Sequence, residues 1–513
     1  MRTIVVGAGA AGAVIAARLT EGRRHEVVLV EAGPDYVDAA ERPETLPEAL
    51  RDGRQNALHG HDWGYWYRAT EHRLWSALPM EYPRGRVVGG SSAVNTCIAL
   101  RGQPEDYDEW AALGLPEWSW ERCLPAFKRL ERDHDFSDSW HGTDGPLPVR
   151  RHTPGELVPW QAAFLEACEE LGLPSCDDTN RPGSHGAGPH AMNKIDGQRV
   201  SAARAYLTRD VRARDNLRVV DHALVRRVLF KGSVAQGVEL ERHGAVRELL
   251  ADRVVLAGGA IGSPSVLLRS GVGPRDELAR LGVEMVADVP GVGARLLDHP
   301  GMAIFFLPHR AGMSRVDHPL VQTVHRFSST TGGSTCPSDI QVQPGSFVPL
   351  PHLPLAAVTI AVCIGKPRSV GRLRLRSTHA TDRPRLETCF FADDAERAMG
   401  REALRVVARL AETRAIKALA RPIYPKRRPF DEAGEYRGPL EQITGSGYHP
   451  SGTVPMGPEG DAMAAVDGRG RVRGVRGLYV ADASIMPTIP SSNTHLPSLM
   501  IGERFGEWLR AGD

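Results

Sequence analysis

Short apolar runs separated by small residues mark the beginning of the chain. Residues 4–6 form one apolar run, residues 27–30 form a second, and the stretch between them is rich in glycine and alanine. Short apolar runs bounded by turn residues are typical of buried strands, and the intervening stretch is long enough for a helix. The pattern therefore predicts strand, tight turn, helix and strand, the opening unit of a parallel α/β sheet.

Similar patterns later in the chain predict a second kind of sheet. Residues 340–342, 358–363 and 373–375 alternate as strands do, while residues 160–171 and 394–411 carry apolar positions at helical spacing. We expect an antiparallel sheet with covering helices in this part of the chain. The Gln341 and Gln343 side chains share one face of the first of these strands. These side chains can lie in the core or face solvent, and the pattern favours neither place.

Glycines and one carboxylate identify what the first unit binds. Gly7, Gly9 and Gly12 form a GxGxxG motif directly after the first strand, and Glu31 follows Gly12 by 19 residues at the end of the second strand. The first glycine allows the turn, the second allows backbone N–H groups to approach a pyrophosphate, and the third allows the helix to pack on the strand. A carboxylate at that spacing accepts hydrogen bonds from ribose hydroxyls, so we expect a bound dinucleotide.

Two later segments indicate which dinucleotide it is. Residues 253–256 form another apolar strand that leads into Ala257 and Gly258, and residues 477–481 form a strand that ends in Asp482. A carboxylate in that place suits the ribityl chain of FAD, although Asp is also common as a cap of the next helix. We therefore predict FAD, held by a Rossmann-like domain.

Because these segments fall at the beginning, middle and end of the chain, the FAD-binding domain is predicted to be discontinuous. We assign it residues 1–155, 191–309 and 441–513, and a substrate-binding domain residues 156–190 and 310–440. The fold class expected is α/β, with an antiparallel sheet covered by helices in the second domain. At 513 residues the chain is long enough for such an arrangement.

Composition and charge limit the classes of partner that the protein is expected to bind. The 63 basic and 62 acidic residues give a net charge of +1, so there is no electrostatic footprint for nucleic acid or an anionic membrane. The sequence contains no stretch of 18 apolar residues, so no membrane-spanning helix is predicted. The seven cysteines show no CxxC or metal-ligand spacing, which favours reduced thiols, no metal site and a cytoplasmic protein.

Five blocks of sequence resemble the glucose-methanol-choline (GMC) oxidoreductases. Beside the N-terminal unit, residues 83–95 read PRGRVVGGSSAVN and residues 259–273 read GAIGSPSVLLRSGVG. Residues 290–299 read PGVGARLLDH, residues 448–453 read YHPSGT, and residues 482–487 read DASIMP before Asn493 and Pro497. Five blocks in the family's order, spread over nearly the whole chain, make the resemblance specific.

The resemblance implies a set of FAD contacts. Small residues from Gly89 onward can lie flat against the isoalloxazine ring and offer N–H donors, and Asn95 matches a residue that contacts the ring's carbonyl edge. The expected cofactor-binding residues are Gly7, Gly9, Ala10, Ala11, Gly12, Glu31, Ala32, Arg86, Val88, Gly89, Gly90, Ser91, Asn95, Val225, Ala257, Gly258, Asp482, Ala483 and Asn493. Some relatives attach FAD through a histidine in this region, but Val94 stands there, so non-covalent FAD is expected.

The resemblance also implies catalytic residues. Alcohol oxidation removes a hydroxyl proton and a hydride from one carbon, so it needs a base of near-neutral pKa beside flavin N5. His449 matches the family's base. The second catalytic residue, His or Asn, follows some forty positions later; Asn493 fits best as the group that holds the substrate oxygen, and His495 remains the alternative.

The predicted function is thus FAD-dependent oxidation of a small-molecule alcohol, by an oxidase or a dehydrogenase. The competing readings are a non-redox or photochemical lyase or decarboxylase on the same scaffold, and a flavoprotein that binds without turnover. The electron acceptor stays open between oxygen, a quinone and another redox carrier. The alcohol itself is not identified by these patterns.

Overall fold

A computed structural model describes residues 1–57, 60–70, 79–310, 313–333, 335–348, 357–425 and 428–512. The strands are, in chain order, β1 (Arg2–Val6), β2 (Glu26–Val30), β3 (Tyr65–Arg68), β4 (Met80–Tyr82), β5 (Glu131–Asp133), β6 (Leu147–Val149), β7 (Gly186–Pro189), β8 (Lys194–Ile195), β9 (Gln198–Arg199), β10 (Leu217–Val220), β11 (Ala223–Lys231), β12 (Val234–Arg242), β13 (Ala245–Leu250), β14 (Arg253–Leu256), β15 (Val272–Gly273), β16 (Ala287–Asp288), β17 (Pro300–Pro308), β18 (Thr323–Phe327), β19 (Ile340–Gly345), β20 (Val358–Ile364), β21 (Arg372–Arg374), β22 (Arg385–Glu387), β23 (Ala420–Tyr424), β24 (Thr444–Ser446) and β25 (Leu478–Val480). The helices are α1 (Ala10–Leu19), α2 (Glu48–Arg51), α3 (Pro104–Ala112), α4 (Trp120–Leu130), α5 (Pro159–Glu170), α6 (Ala202–Tyr206), α7 (Arg209–Arg212), α8 (Gly259–Arg269), α9 (Arg275–Leu281), α10 (Asp394–Glu412), α11 (Arg414–Leu419) and α12 (His495–Ala511).

A parallel sheet forms the first layer of the fold. Its strand order is β10-β2-β1-β14-β25, and every neighbouring pair is parallel. The central strands β1, β2 and β14 are almost entirely buried, because α1 packs on β1 and β2 while β11 and β12 of a three-stranded antiparallel sheet pack on β2 and β14. The predicted strand, turn, helix and strand at the N-terminus are confirmed as β1, α1 and β2.

An antiparallel sheet forms the second layer. Its order is β23-β17-β20-β19-β18-β7, with β24 paired to β17. Along β20 the buried residues Val358, Ile360, Val362 and Ile364 alternate with half-buried ones, so one face of the strand packs inward while the other faces a cleft. Helix α10 packs on β20 and β19, and α5 packs on β19 and β18, which gives the covered sheet that the periodicity predicted.

The predicted periodic segments correspond to observed elements. The helical spacing at residues 160–171 is α5, and that at residues 394–411 is α10. The alternating runs are β19, β20 and β21, with ends shifted by a few residues at most. The mixed α/β fold class is confirmed.

The proposed division into domains stays a prediction, and two strands cross it. We assigned residues 300–308 and 444–446 to the FAD-binding domain, but β17 and β24 pair with each other in the antiparallel sheet. Long-range pairing of this kind leaves no local signal in the sequence. It matters for the site, because the two strands bring the residues around His449 beside the start of β17.

Within the described chain, no helix combines the length and the hydrophobicity that crossing a membrane requires.

Candidate active site

A cleft of about 820 Å³ lies between the parallel and the antiparallel sheet. Its walls include the carboxyl ends of β1, β14 and β25, where ligands of open α/β sheets bind. The expected site residues that line it are Gly7, Gly9, Ala10, Ala11, Glu31, Ala32, Gly90, Ser91, Asn95, Val225, Ala257, Gly258, His449, Asp482, Ala483 and Asn493.

The N-terminus of α1 forms an anion-binding end of this cleft. No side chain caps the helix, and its first turn contains no acidic residue. The backbone N–H groups of the first turn therefore face the cleft with the positive end of the helix dipole behind them. A Cβ on Gly12 would lie 1.9 Å from the carbonyl oxygen of Gly7, so only glycine allows the turn and the helix to pack this closely.

A second glycine loop lies directly against the first. Gly90 has a φ of +53°, and a Cβ there would lie 2.7 Å from the Cα of Gly9. Gly89 supports this contact because its N–H donates to the carbonyl oxygen of Ala8 over 2.8 Å. The close approach brings the glycine turns of both loops together on one side of the cleft.

Glu31 already accepts two hydrogen bonds from the protein. Its carboxylate accepts from the N–H groups of Ala8 at 3.0 Å and Gly33 at 2.9 Å. Burial raises the pKa of the Glu31 carboxyl to about 7, while these backbone donors oppose that rise. Each carboxylate oxygen keeps a further lone pair, so the group can still accept hydrogen bonds from a ribose.

Asp482 has the capping role that was the alternative to polyol binding. One carboxylate oxygen accepts from the N–H of Ser484 at 2.8 Å; the other accepts from the N–H of Gly259 and the hydroxyl of Ser263, at 2.8 and 2.6 Å. The carboxylate thus joins the turn after β25 to the first turn of α8. It also lines the cleft, and its contact with a ribityl chain remains a prediction.

Four expected cofactor contacts are absent from the cleft lining. Gly12 and Gly89 act through the backbone packing described above, and Val88 is 5% exposed. Arg86 is exposed instead, and its guanidinium lies 5.2 Å from the centre of the Trp63 ring, which lines the cleft. Gly12, Val88 and Gly89 thus support the wall from behind, whereas Arg86 lies at its outer edge.

Two histidines from distant parts of the chain meet at one end of the cleft. In the antiparallel pair β17–β24, Pro300 lies opposite Ser446, so the residue before β17 and the segment after β24 are neighbours. His299 and His449 are those residues, and their Nδ1 atoms lie 2.9 Å apart. Gly447 makes room for them, because a Cβ there would lie 3.0 Å from the His449 Nδ1.

The hydrogen bonds of this pair fix which nitrogens carry protons. The Nε2 of His299 lies 3.0 Å from the carbonyl oxygen of Pro490, which can only accept, so this Nε2 carries a hydrogen. Burial lowers the pKa of His299 to about 4, and the neutral ring therefore has a lone pair on Nδ1. His449 must donate its Nδ1–H to that lone pair.

The remaining nitrogen of His449 is then unprotonated and faces Asn493. The Asn493 Nδ2 donates to the His449 Nε2 over 3.0 Å. Burial, with the neighbouring His299 and Arg84, holds the pKa of His449 well below its usual value, so the ring is neutral at pH 7. The arrangement brings a base and an N–H donor into direct contact at one place in the cleft.

His495 does not take part in this contact. It is the first residue of α12, and neither ring nitrogen hydrogen-bonds to any residue in the described ranges. Burial lowers its pKa to about 4. The segment that precedes His495 is anchored by Asp106. The carboxylate of Asp106 accepts from the N–H and from the hydroxyl of Ser491, at 2.8 and 2.7 Å.

Sequence reasoning assigned no role to His299 or to Asp298 before it. Asp298 is buried and accepts from the N–H of His449 at 2.8 Å and from the hydroxyls of Tyr82 and Ser446. Both residues close the block at 290–299, and that position at the end of a family block was the available signal. The contacts themselves span about 150 residues of chain.

Comparison with known proteins places this geometry in a family. Two family models described as GMC oxidoreductase match residues 1–301 and 367–502. The chain belongs to the GMC oxidoreductase family.

Members of this family that resemble the chain cover it almost completely. It is 34% identical to a 5-(hydroxymethyl)furfural oxidase of Methylovorus sp., over 98% of this chain and 97% of the relative. It is also 34% identical to mitochondrial choline dehydrogenase of Homo sapiens, over 99% and 89%. The crystal structure of pyridoxine 4-oxidase from Mesorbium loti superposes with a TM-score of 0.88 at 28% identity, covering 99% of this chain and 98% of that one.

GMC oxidoreductases use FAD and oxidise the CH–OH groups of alcohols, and this chain is an enzyme of that type. The cleft fits the cofactor on its own evidence. It combines an uncapped helix N-terminus, two glycine loops in close contact on one side and a carboxylate after the second strand. These are the features that pyrophosphate, flavin ring and ribose require. None of these relatives supports the lyase alternative.

Glu31→Ala is expected to weaken FAD binding by about 1 to 3 kcal/mol, because ribose hydroxyls and two backbone N–H groups lose their acceptor. Glu31→Gln is the matched variant: it keeps the shape and one acceptor oxygen and should lose less. Titration of apoprotein with FAD, followed by flavin fluorescence, measures both. Equal affinity of all three proteins would show that Glu31 does not contact the ribose.

Proposed function

We propose that the chain oxidises its alcohol with the His449 Nε2 as general base and Asn493 as the group that holds the alcohol oxygen, using FAD bound without a covalent link. The observation that carries this proposal is the chain of hydrogen bonds from Pro490 through His299 to His449. It leaves a lone pair on the one nitrogen that faces Asn493 and the cleft.

The chemistry follows from the two groups at that spot. The His449 Nε2 accepts the hydroxyl proton of the alcohol, while the carbinol carbon loses a hydride and becomes a carbonyl carbon. Bound FAD supplies the two-electron acceptor for that hydride. The Asn493 Nδ2–H donates to the substrate oxygen and stabilises the negative charge that develops as the proton leaves.

The surroundings of the base suit this task. Because His449 is neutral at pH 7, it needs no prior deprotonation, and the fixed Nδ1–H···Nδ1 bond keeps its Nε2 in place. The Nδ1 of His299 accepts this hydrogen bond and holds the ring in place, in the manner of an orienting partner behind a catalytic histidine. The nearby Arg84 donates to the carbonyl oxygen of Tyr448 over 2.7 Å and so fixes the loop that carries His449.

His449→Ala is expected to fold and bind FAD but to slow flavin reduction by alcohol about 10²- to 10⁴-fold, the usual contribution of a general base. Asn493→Ala should also slow it, and the double variant should lose less than the product of the two losses, because both residues act on one oxygen. Anaerobic stopped-flow absorbance measures these rates.

His495→Ala is the matched control for that experiment, since its ring lines the same cleft without a hydrogen bond to His449. Its flavin reduction should stay near the parental rate. A parental rate in His449→Ala together with a large loss in His495→Ala would transfer the role of base to His495.

The pH dependence of flavin reduction follows from the lowered pKa values. The base acts in its neutral form, so the rate should be flat above about pH 6.5, the ordinary histidine value, and should fall only at lower pH. His299→Ala removes one cause of the lowered pKa of His449, which should move the acid limb to higher pH. An acid limb at the same pH in both proteins would contradict the coupling of the two rings.

Non-covalent attachment is expected because Ala93, Val94 and Asn95 offer no nucleophile to the flavin ring. Precipitation of the holoenzyme with acid should therefore leave the yellow cofactor in the supernatant. A yellow pellet that keeps its colour after washing would show a covalent bond.

A further inference from the structure

The antiparallel sheet presents a regular wall to the cleft opposite the parallel sheet. Alternate residues of three neighbouring strands face the cleft, and the pairing register arranges them in two rows across the sheet. The first row consists of Gly301, Cys363 and Gln341, and the second row consists of Ala303, Ala361 and Gln343.

The first row lies at the reacting end of the cleft. The Sγ of Cys363 and ring nitrogens of His299 and His449 all lie within 4.8 Å of one another. The second row lies two residues further along the strands, a distance of about 7 Å at the normal rise of a strand. An alcohol that reacts beside His449 therefore has its far end at the second row.

The two glutamines of the wall present opposite hydrogen-bonding groups. The Gln341 Nε2 donates to the carbonyl oxygen of Ser491 over 3.2 Å, which turns its side-chain oxygen away from that partner. The Gln343 side-chain oxygen lies 3.1 Å from the Nε2 of His190. Burial lowers the pKa of His190 to about 3, so the ring is neutral and donates this hydrogen bond.

The amide nitrogen of Gln343 is consequently available to a ligand. Its oxygen is occupied by His190, and within the described ranges its two N–H groups make no hydrogen bond. The side chain is half-buried and lines the cleft, whereas His190 behind it is completely buried. His190 thus holds the amide with its donors directed at the far end of the substrate space.

Shape and charge restrict what fits this wall. The small residues of β17 and β20 leave a shallow slot beside the two glutamines of β19, and the rings of Phe305 and Tyr424 pack edge to face beyond it with centres 5.3 Å apart. Neither row contains a charged residue. The charged residues among the described ones that line the cleft come from other elements: Glu31, Arg84, Arg269, Asp382, Arg383 and Asp482.

A cationic substrate has no counter-charge at this wall. The carboxylate nearest the histidine pair, Asp298, is buried and occupied by its donors, and Arg84 places a positive charge on the same side. Bringing an ammonium group here would remove it from water without compensation. The wall suits an uncharged molecule.

We propose that the substrate is an uncharged alcohol of flat shape that carries an oxygen acceptor at the end opposite its CH–OH group, and that Gln343 recognises this acceptor while His190 acts as its positioning residue. A ring with a hydroxymethyl group on one side and a carbonyl or ether oxygen on the other has these properties. The assignment rests on the proposed function of His449 and Asn493, because it places the reacting carbon beside them.

The test compares two alcohols of nearly equal shape, 4-acetylbenzyl alcohol and 4-isopropylbenzyl alcohol, in the wild-type holoenzyme and in Gln343→Leu. Only the first offers an acceptor to Gln343. The wild type should prefer the acetyl compound in flavin reduction, and the preference should fall about 3- to 10-fold in the variant, as for one lost neutral hydrogen bond. Electronic differences between the alcohols cancel because the same pair is used with both proteins.

Gln236→Leu is the control variant, since Gln236 lies on β12 and bonds only to the neighbouring backbone. It should keep the wild-type preference. An equal preference in wild type and Gln343→Leu, with both alcohols reducing the flavin, would overturn the recognition by Gln343 and leave the proposed function standing. Reduction by choline at concentrations similar to those of the benzyl alcohols would overturn the uncharged substrate class.

Equilibrium binding separates the recognition of the substrate by Gln343 from its oxidation with His449 as base. In a His449→Ala background, where turnover is slow, both alcohols are titrated against the flavin spectrum with Gln343 and with Leu at this position. Tighter binding of the acetyl compound that depends on Gln343, without flavin reduction in the wild type, would support the recognition and contradict the proposed oxidation. Neither binding nor reduction would contradict both.

Discussion

A hydrogen bond from the Nε2 of His299 to the carbonyl oxygen of Pro490 sets the protonation pattern on which the whole site depends. A backbone carbonyl cannot donate, so it decides which nitrogen of His299 carries the hydrogen. The Nδ1 of His449 must then carry the hydrogen of the bond between the two rings. This leaves a lone pair on the His449 Nε2, which faces Asn493. Burial lowers the pKa of both histidines and so keeps both rings neutral. The low dielectric of the interior also strengthens the hydrogen bonds that they make.

Backbone architecture brings these groups together from three parts of the chain. The pairing of β17 with β24 places His299 beside the loop of His449, and the segment before α12 supplies both Pro490 and Asn493. Asp298 and Asp106 hold the two loops through backbone N–H groups. The positions of these ring and amide atoms are thus fixed by ordinary sheet pairing and by buried carboxylates whose hydrogen bonds are satisfied.

The local structure of the nucleotide-binding motif follows from the sequence, whereas the arrangement of the histidine pair follows from it only in part. The glycines, Glu31 and the strand that contains residues 4–6 follow local rules of turn and strand, so they could be placed without any tertiary information. Asn493 and His495 lie two residues apart in one loop, and only the three-dimensional path shows that Asn493 reaches His449. The capping role of Asp482 was foreseen as an alternative and is the one observed.

Contacts between distant strands explain what the sequence did not predict. The hydrogen bonds between His299 and His449 and between His190 and Gln343 each join positions about 150 residues apart. No periodicity or motif spacing records such pairs, since they arise from the register of strands in the antiparallel sheet. The same register crosses the domain boundaries drawn from the sequence, because β17 and β24 belong to that sheet.

Neutron diffraction from crystals of the FAD-bound enzyme, exchanged into heavy water, would locate the hydrogens of the histidine pair directly. We expect a deuteron on the Nε2 of His299, one between the two Nδ1 atoms that belongs to His449, and none on the Nε2 of His449. A deuteron on the His449 Nε2 would contradict the proposed role of His449 as base, because the atom that should accept the alcohol proton would already carry one.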